Sequence, residues 1–148
     1  MDGSDDMIKL YSQRILALAA AIPHAGRLAP PAASARRRSP LCGSTVTVDL
    51  RLKDGRIVDF AQEVRACALG QASASVLGAV VLGLGRDEVA RGRDALHQML
   101  TAGGPVPGAP FEGYEVLLPA RDYRNRHASI LLALDATLDA CDAALAAA

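Results

Sequence analysis

The stretch that decides the fold is TVTVDLRLKDGRIVDFAQEVR, which occupies residues 45–65. Apolar and polar residues alternate strictly over residues 45–52, a pattern typical of a half-buried strand. Asp54 and Gly55 follow, and this dipeptide strongly favours a tight hairpin turn. Apolar residues also alternate in the return segment 56–65, at Val58, Phe60 and Val64. The sequence therefore predicts an antiparallel β-hairpin at the centre of the chain.

Helical spacing replaces this alternation on both sides of the hairpin. Upstream, apolar residues recur every three or four positions over residues 8–22, and Pro23 ends that helix. Residues 23–41 are rich in Pro, Ala, Arg and Ser, which predicts a connector. Downstream patterns predict helices over 69–81 and 86–100, a loop over 103–113, and a last helix from near His127 through Leu145. The order of elements predicts an α+β fold, a small antiparallel sheet with helices packed on one face.

Composition limits the class of protein. The 148 residues suit a single domain spanning positions 1–148, and 51% hydrophobic content excludes a disordered chain. Lysine plus arginine equal aspartate plus glutamate at 16 each, and only 3% of residues are aromatic, so we expect no nucleic-acid partner. No apolar stretch is long enough to span a membrane. The acidic start MDGSDDM is unlike a signal peptide, and we expect a cytoplasmic protein.

Two of the three cysteines are expected to meet in space. Cys42 and Cys67 lie at similar distances before and after the Asp-Gly turn, so pairing of the strands would bring both to one end of the hairpin. Cysteine thiolates bind soft metals such as zinc and iron in iron–sulfur clusters. The alternative is that both are small buried hydrophobic residues. Cys141 lies among alanines of the last helix, where filling the core is its expected role.

His127 is a candidate third ligand. It lies in the polar stretch RNRHAS, residues 124–129, just ahead of the apolar part of the last helix. An imidazole at this position can bind a metal beside the two thiols. The alternative is an ordinary exposed or helix-terminal histidine.

Two segments of the chain resemble a known family. Leu41-Cys42-Gly43-Ser44 precedes the first strand of the hairpin, and ACALGQASAS, residues 66–75, follows the second. Together they resemble the NifU N-terminal family, which includes the IscU and SufU iron–sulfur scaffold proteins. Residues 22–26 are similar to the Asn-Pro-Arg-Asn-x-Gly segment of that family. The resemblance extends over about residues 8–145, and it implies the IscU-like fold.

The chain departs from the family pattern at two positions. The resemblance identifies Cys42 and Cys67 with the first two ligand cysteines of the family. Ser44 stands where the family has an aspartate that helps to make the cluster labile. The third cysteine, which in the family also accepts sulfur from cysteine desulfurase, is replaced by His127 or by Ala128, depending on the alignment. The implied ligand set is therefore Cys42, Cys67 and His127.

The resemblance implies a non-enzymatic scaffold that binds iron or a [2Fe–2S] cluster through these residues. Its implied partners are a cysteine desulfurase and cluster-acceptor proteins, and we expect a monomer or weak homo-oligomer. One alternative is a zinc-binding or regulatory SufU-like accessory or sulfur-acceptor protein that does not build clusters. Another is thiol catalysis, with Cys67 as the nucleophile and His127 as its base.

Overall fold

The architecture is a three-stranded sheet with helices on one face. The computed structural model describes residues 12–147. Along the chain they form α1 (Gln13–Ala20), β1 (Ala33–Arg38), β2 (Thr45–Lys53), β3 (Arg56–Arg65), α2 (Ala68–Val80), α3 (Arg86–Thr101), a 3-10 helix (Glu112–Asp122) and α4 (Arg124–Ala147). The strands are antiparallel in the order β1-β2-β3. The predicted α+β fold is confirmed.

The hairpin β2–β3 is also confirmed, and its turn has the geometry that the sequence favours. Asp54 and Gly55 have φ values of 53° and 77°, the left-handed conformation that a two-residue type I′ turn requires at both positions. The pairing register shifts between Arg51 and Leu52. The shift gives β3 one extra residue, so Val58 is 45% exposed. The prediction that Val58 shares a buried face with the other apolar residues of β3 is therefore wrong.

Strand β1 corrects the prediction of a connector over residues 23–41. Its six residues, ASARRR, pair with β2 from Ala33 opposite Leu50 to Arg38 opposite Thr45. The segment has no β-branched or aromatic residue, so its local preference gives no sign of a strand. Tertiary contacts supply the missing preference, since the backbone bonds of β2 and the core beneath β1 both favour an extended chain.

The core lies between the sheet and the helices. Val46, Val48 and Leu50 of β2 are fully buried or nearly so, and they face the long helix α4. Helix α4 also packs against β1, α2 and α3, and it begins at residue 124 rather than near 127. Helix α1 packs on α2 and ends at Ala20, before the predicted 22, while predicted helical positions 8–11 lie outside the described residues. Within residues 12–147 no helix has the length and apolarity needed to cross a membrane.

Candidate thiol site

Cys42 lies at the tip of the short loop that joins β1 to β2. The N–H of Ser39 donates to the carbonyl of Ser44 over 2.8 Å, and the N–H of Gly43 donates to the carbonyl of Ser39 over 2.9 Å. Gly43 has φ of 70°, a conformation that a residue with a side chain rarely adopts. These two bonds close the loop, and they leave Cys42 exposed to solvent.

Cys67 occupies the N-cap position of α2, immediately after β3. Its carbonyl accepts the N–H of Gln71 over 2.9 Å, which is the first bond of the helix, and its side chain is partly buried. Thr45 of β2 pairs with Arg65 of β3, so the start of one strand and the end of the other lie side by side. The prediction that Cys42 and Cys67 reach the same end of the hairpin is confirmed.

Two buried serine hydroxyls connect the two sulfur atoms. Cys42 Sγ lies 3.0 Å from Ser44 Oγ, and Ser129 Oγ of α4 donates to Ser44 Oγ over 3.2 Å. Ser129 Oγ is in turn 3.6 Å from Cys67 Sγ. Ser44 is 5% exposed and Ser129 is 1% exposed, so water has little access to these hydroxyls. The result is a continuous polar chain from the exposed thiol to the partly buried one.

Close packing of α2 against α4 holds Ser129 in this position. A Cβ atom on Gly70 would lie 2.6 Å from Ser129 Oγ and 2.8 Å from the Cβ of Ala66. Real Cβ atoms essentially never come so close to another heavy atom, and the Ser129 side chain therefore fits only because residue 70 is glycine. The small residue at 70 is thus a geometric requirement of the site.

The surroundings of Cys42 lower the pKa of its thiol from 9.0 to about 7. The largest cause is the hydroxyl of Ser39, whose Oγ lies 3.4 Å from the sulfur; the hydroxyl and backbone N–H of Ser44 act in the same direction. Hydroxyls can rotate to donate to a thiolate, and such bonds favour the charged form. Cys141 is the opposite case, because burial in the core raises the pKa of its thiol to about 11. Cys42 is therefore a thiolate for much of the time near neutral pH.

His127 has a different set of neighbours. Its Nε2 lies 2.9 Å from the carbonyl oxygen of Ala120, and the ring is 7% exposed at the end of the 3-10 helix. Residues two apart on a helix point in nearly opposite directions, so Ser129 faces the thiols and His127 faces away from them. Over residues 12–147 no three or more His, Cys, Asp or Glu side chains are grouped closely enough to hold a metal ion. The structure does not bring His127 together with Cys42 and Cys67.

Sequence reasoning identified both cysteines but missed the role of the serines. Ser39, Ser44 and Ser129 supply the hydroxyls around the thiols. From sequence, Ser44 stands out only as the residue that replaces the aspartate of the family. Ser129 follows Ala128, one of the two positions considered for the missing cysteine, and this neighbourhood was the signal available for it. Ala128 itself is partly buried.

The comparisons with known proteins agree with the fold. The NifU-like N terminal domain matches residues 10–126. The chain belongs to this NifU-like family. The crystal structure of the N-terminal part of a nitrogen-fixing NifU-like protein from Brucella abortus is 45% identical and covers 97% of this chain and 99% of its own, with a TM-score of 0.92. No curated protein matches the chain.

A second solved structure has the same fold at a lower sequence identity. A protein of Fervidobacterium islandicum, assigned as an iron–sulfur cluster assembly scaffold for the SUF system, is 20% identical to this NifU-like chain. Its structure covers 87% of this chain and 94% of its own, with a TM-score of 0.77. At that identity the match supports the shared fold alone. The family match over residues 10–126 and the 45% identical structure confirm, at the level of the family, the resemblance inferred from the two cysteine segments.

Proposed function

We propose that this NifU-like protein takes part in iron–sulfur cluster assembly, and that Cys42 and Cys67 hold iron or a [2Fe–2S] cluster as cargo. The observation that carries the proposal is the chain of hydroxyls that joins the two sulfur atoms at one end of the hairpin. Family membership supports the general role. The two thiols supply the specific chemistry, because thiolates are the ligands that iron–sulfur clusters use.

The thiol site fits cargo that must arrive and leave. Cys42 is exposed on a loop, and the lowered pKa of its thiol makes the metal-binding thiolate available near neutral pH. Cys67 is held on a helix that packs against the core. One ligand is therefore accessible to a partner, while the other is fixed by the fold.

Two thiols do not complete a cluster, which is held by four ligands. The described residues offer no third cysteine, histidine or carboxylate grouped with these two. We propose that the missing ligands come from outside the chain, either from a partner protein or from small thiols. On this proposal a small dithiol raises the amount of iron and sulfide that the protein retains. The prediction that His127 is a ligand requires its ring to leave the carbonyl of Ala120. If the protein retains the same amount of iron and sulfide without an added thiol, this result would favour His127 as a ligand.

The test measures iron, zinc and acid-labile sulfide per chain after anaerobic reconstitution with iron, sulfide and a dithiol. We compare the wild type with Cys42→Ser, Cys67→Ser and a matched control, Cys141→Ala. The control removes a thiol that is buried on α4, away from solvent. We expect iron and sulfide in equal amounts in the wild type and the control, and loss of both in each of the other two variants.

Two results would contradict the proposal. Zinc in the purified protein together with failure to take up iron and sulfide would favour the zinc-binding alternative. Iron and sulfide that remain in Cys67→Ser would show that the cargo lies elsewhere.

We also propose that a cysteine desulfurase supplies the sulfur and that acceptor proteins receive the cluster, and the same protein samples can be used to test these partners. Addition of a desulfurase and cysteine in place of sulfide tests the first of these.

A further inference from the structure

The outer face of the sheet carries a surplus of positive charge next to the thiol site. Arg36 and Arg38 of β1 and Arg65 of β3 are exposed, and within residues 12–147 none of the three forms an ion pair. Arg27 lies on the same face, where it is paired with Asp49 and Glu63. Four guanidinium groups thus face two carboxylates, a surplus of two positive charges in a protein whose net charge is zero. We call Arg27, Arg36, Arg38 and Arg65 the arginine face.

The strand register places Arg36 and Arg38 in a row along β1, with Arg65 of β3 facing Arg38 across β2. Arg38 and Arg65 are the partners of Thr45 on either side of it, and Arg36 is the partner of Thr47. Neighbouring strands are about 4.8 Å apart, so Arg38 and Arg65 leave the backbone at points about 10 Å from each other. Rows of this kind can bind several acidic side chains at once.

A cavity of about 250 Å³ lies within the arginine face, and its lining suits carboxylates. Arg27, Arg36, Thr45, Thr47, Glu63 and Arg65 line it. Guanidinium groups bind carboxylates through two parallel N–H bonds, and threonine hydroxyls can donate further bonds. Glu63 is the one carboxylate in the lining, and it shares Arg27 with Asp49, so Arg36 and Arg65 leave the lining with a surplus of positive charge.

The arginine face adjoins the thiols. Arg38 is the residue before Ser39, where the Cys42 loop begins, and its guanidinium nitrogen lies 3.9 Å from the position of a Cβ on Gly43. Arg65 is two residues before Cys67. A protein that approaches Cys42 to deliver sulfur or to collect a cluster therefore also reaches these side chains.

We propose that the arginine face is a docking surface for an acidic segment of a partner protein, whose carboxylates bind in the cavity beside the thiol site. The acidic character follows from charge complementarity, whereas the identity of the partner as one that exchanges cargo with Cys42 rests on the proposed function. Electrostatic attraction of this kind steers encounter and orients the two proteins more than it adds affinity. The near absence of aromatic residues disfavours single-stranded nucleic acid as the occupant.

The test titrates the full chain with a fluorescein-labelled oligoglutamate peptide and follows the anisotropy at low ionic strength. We expect Arg36→Glu combined with Arg65→Glu to weaken binding by at least about tenfold, because each change replaces attraction with repulsion. Glu63→Gln should tighten binding. Arg91→Glu, an exposed position on α3, reverses one charge away from the sheet and should weaken binding much less than Arg36→Glu alone.

Three further measurements keep the result interpretable. If the charge-reversed variant fails to fold, Arg36→Gln with Arg65→Gln replaces it, and weakening is again expected. Equal affinity in the wild type and these variants would overturn the proposal, as would displacement of the peptide by inorganic phosphate or by single-stranded RNA at lower concentration. The titration is repeated with Cys42→Ser and Cys67→Ser combined, where peptide binding should persist. Failure of iron binding and failure of docking are therefore separate outcomes.

Discussion

The lowered pKa of the Cys42 thiol can be tested by its rate of alkylation. At pH 7 a thiol with a pKa of about 7 is about half ionised, whereas a thiol at the ordinary value of 9.0 is ionised in about one molecule in a hundred. The thiolate population is thus about fifty times larger. A less basic thiolate is also a weaker nucleophile, and a pKa lower by two units reduces its intrinsic reactivity by about eightfold. The two effects together predict alkylation about six times faster than for an ordinary cysteine.

The assay uses iodoacetamide on protein that carries Cys67→Ser and Cys141→Ala, so that Cys42 is the only thiol. The second-order rate constant is measured between pH 5 and pH 10, and its midpoint reports the pKa. We expect a midpoint near pH 7. Ser39→Ala removes the hydroxyl with the largest effect and keeps the backbone bonds of the loop, so it should move the midpoint upward.

Two outcomes would refute this reasoning about Cys42. A midpoint at pH 8.5 or above in the starting protein would mean that the hydroxyls do not stabilise the thiolate. An unchanged midpoint in Ser39→Ala would mean that another group lowers the pKa. Thr101→Ala, which removes an exposed hydroxyl at the end of α3, serves as the control and should leave the profile unchanged.

The remaining predictions concern the packing and the charges around the site. Gly70→Ala should reduce the free energy of unfolding by about 1–3 kcal/mol in urea titrations and displace Ser129; an unchanged stability would show that α2 can move away from α4. His127→Ala should cost about 1–3 kcal/mol through its lost buried hydrogen bond but leave the iron and sulfide content unchanged, whereas loss of iron would make it a ligand. Burial raises the pKa of Asp49, but bonds from Arg27 and its other donors outweigh burial and lower it overall. Its stabilising contribution is therefore present above the unfolded-state pKa of 3.8 and is lost as the pH falls below it, and Asp49→Asn should flatten the acid limb of thermal unfolding midpoints.

The hairpin could be predicted from sequence because its information is local. Strict alternation sets which side chains face the core, and Asp54 and Gly55 select the turn. The convergence of Cys42 and Cys67 then follows from strand pairing alone. The extra residue at Val58 could not be predicted in this way, because the shift in register depends on how β3 pairs with β2 and not on the composition of either strand.

The rest of the site depends on contacts between distant parts of the chain. Strand β1 has alanine and arginine where strands usually carry branched residues, and it forms because β2 and α4 lie against it. The position of Ser129 beside Cys67 depends on how α4 packs on α2, which a single sequence does not encode in any local pattern. The sequence leaves open whether His127 or Ala128 aligns with the third cysteine of the family, and these two residues lie on different faces of α4. Without knowledge of how α4 packs on α2, the sequence favours His127 over Ser129 as the residue beside the thiols, because histidine is a common metal ligand.

The charges around the thiol site bear on what it can do. The resemblance places an aspartate and a third cysteine in the scaffold proteins where this chain has Ser44 and a residue without a thiol, so two anionic groups are replaced by neutral ones. Ser44 and Ser129 stabilise the Cys42 thiolate through hydrogen bonds, but they do not add charge to attract a cation. The arginine face beside them further disfavours a free metal ion and favours an acidic protein. On the proposed function, this combination suits cargo that is held between this chain and a partner, where the partner contributes the missing ligands, and it suits long-term storage of iron in the isolated chain much less.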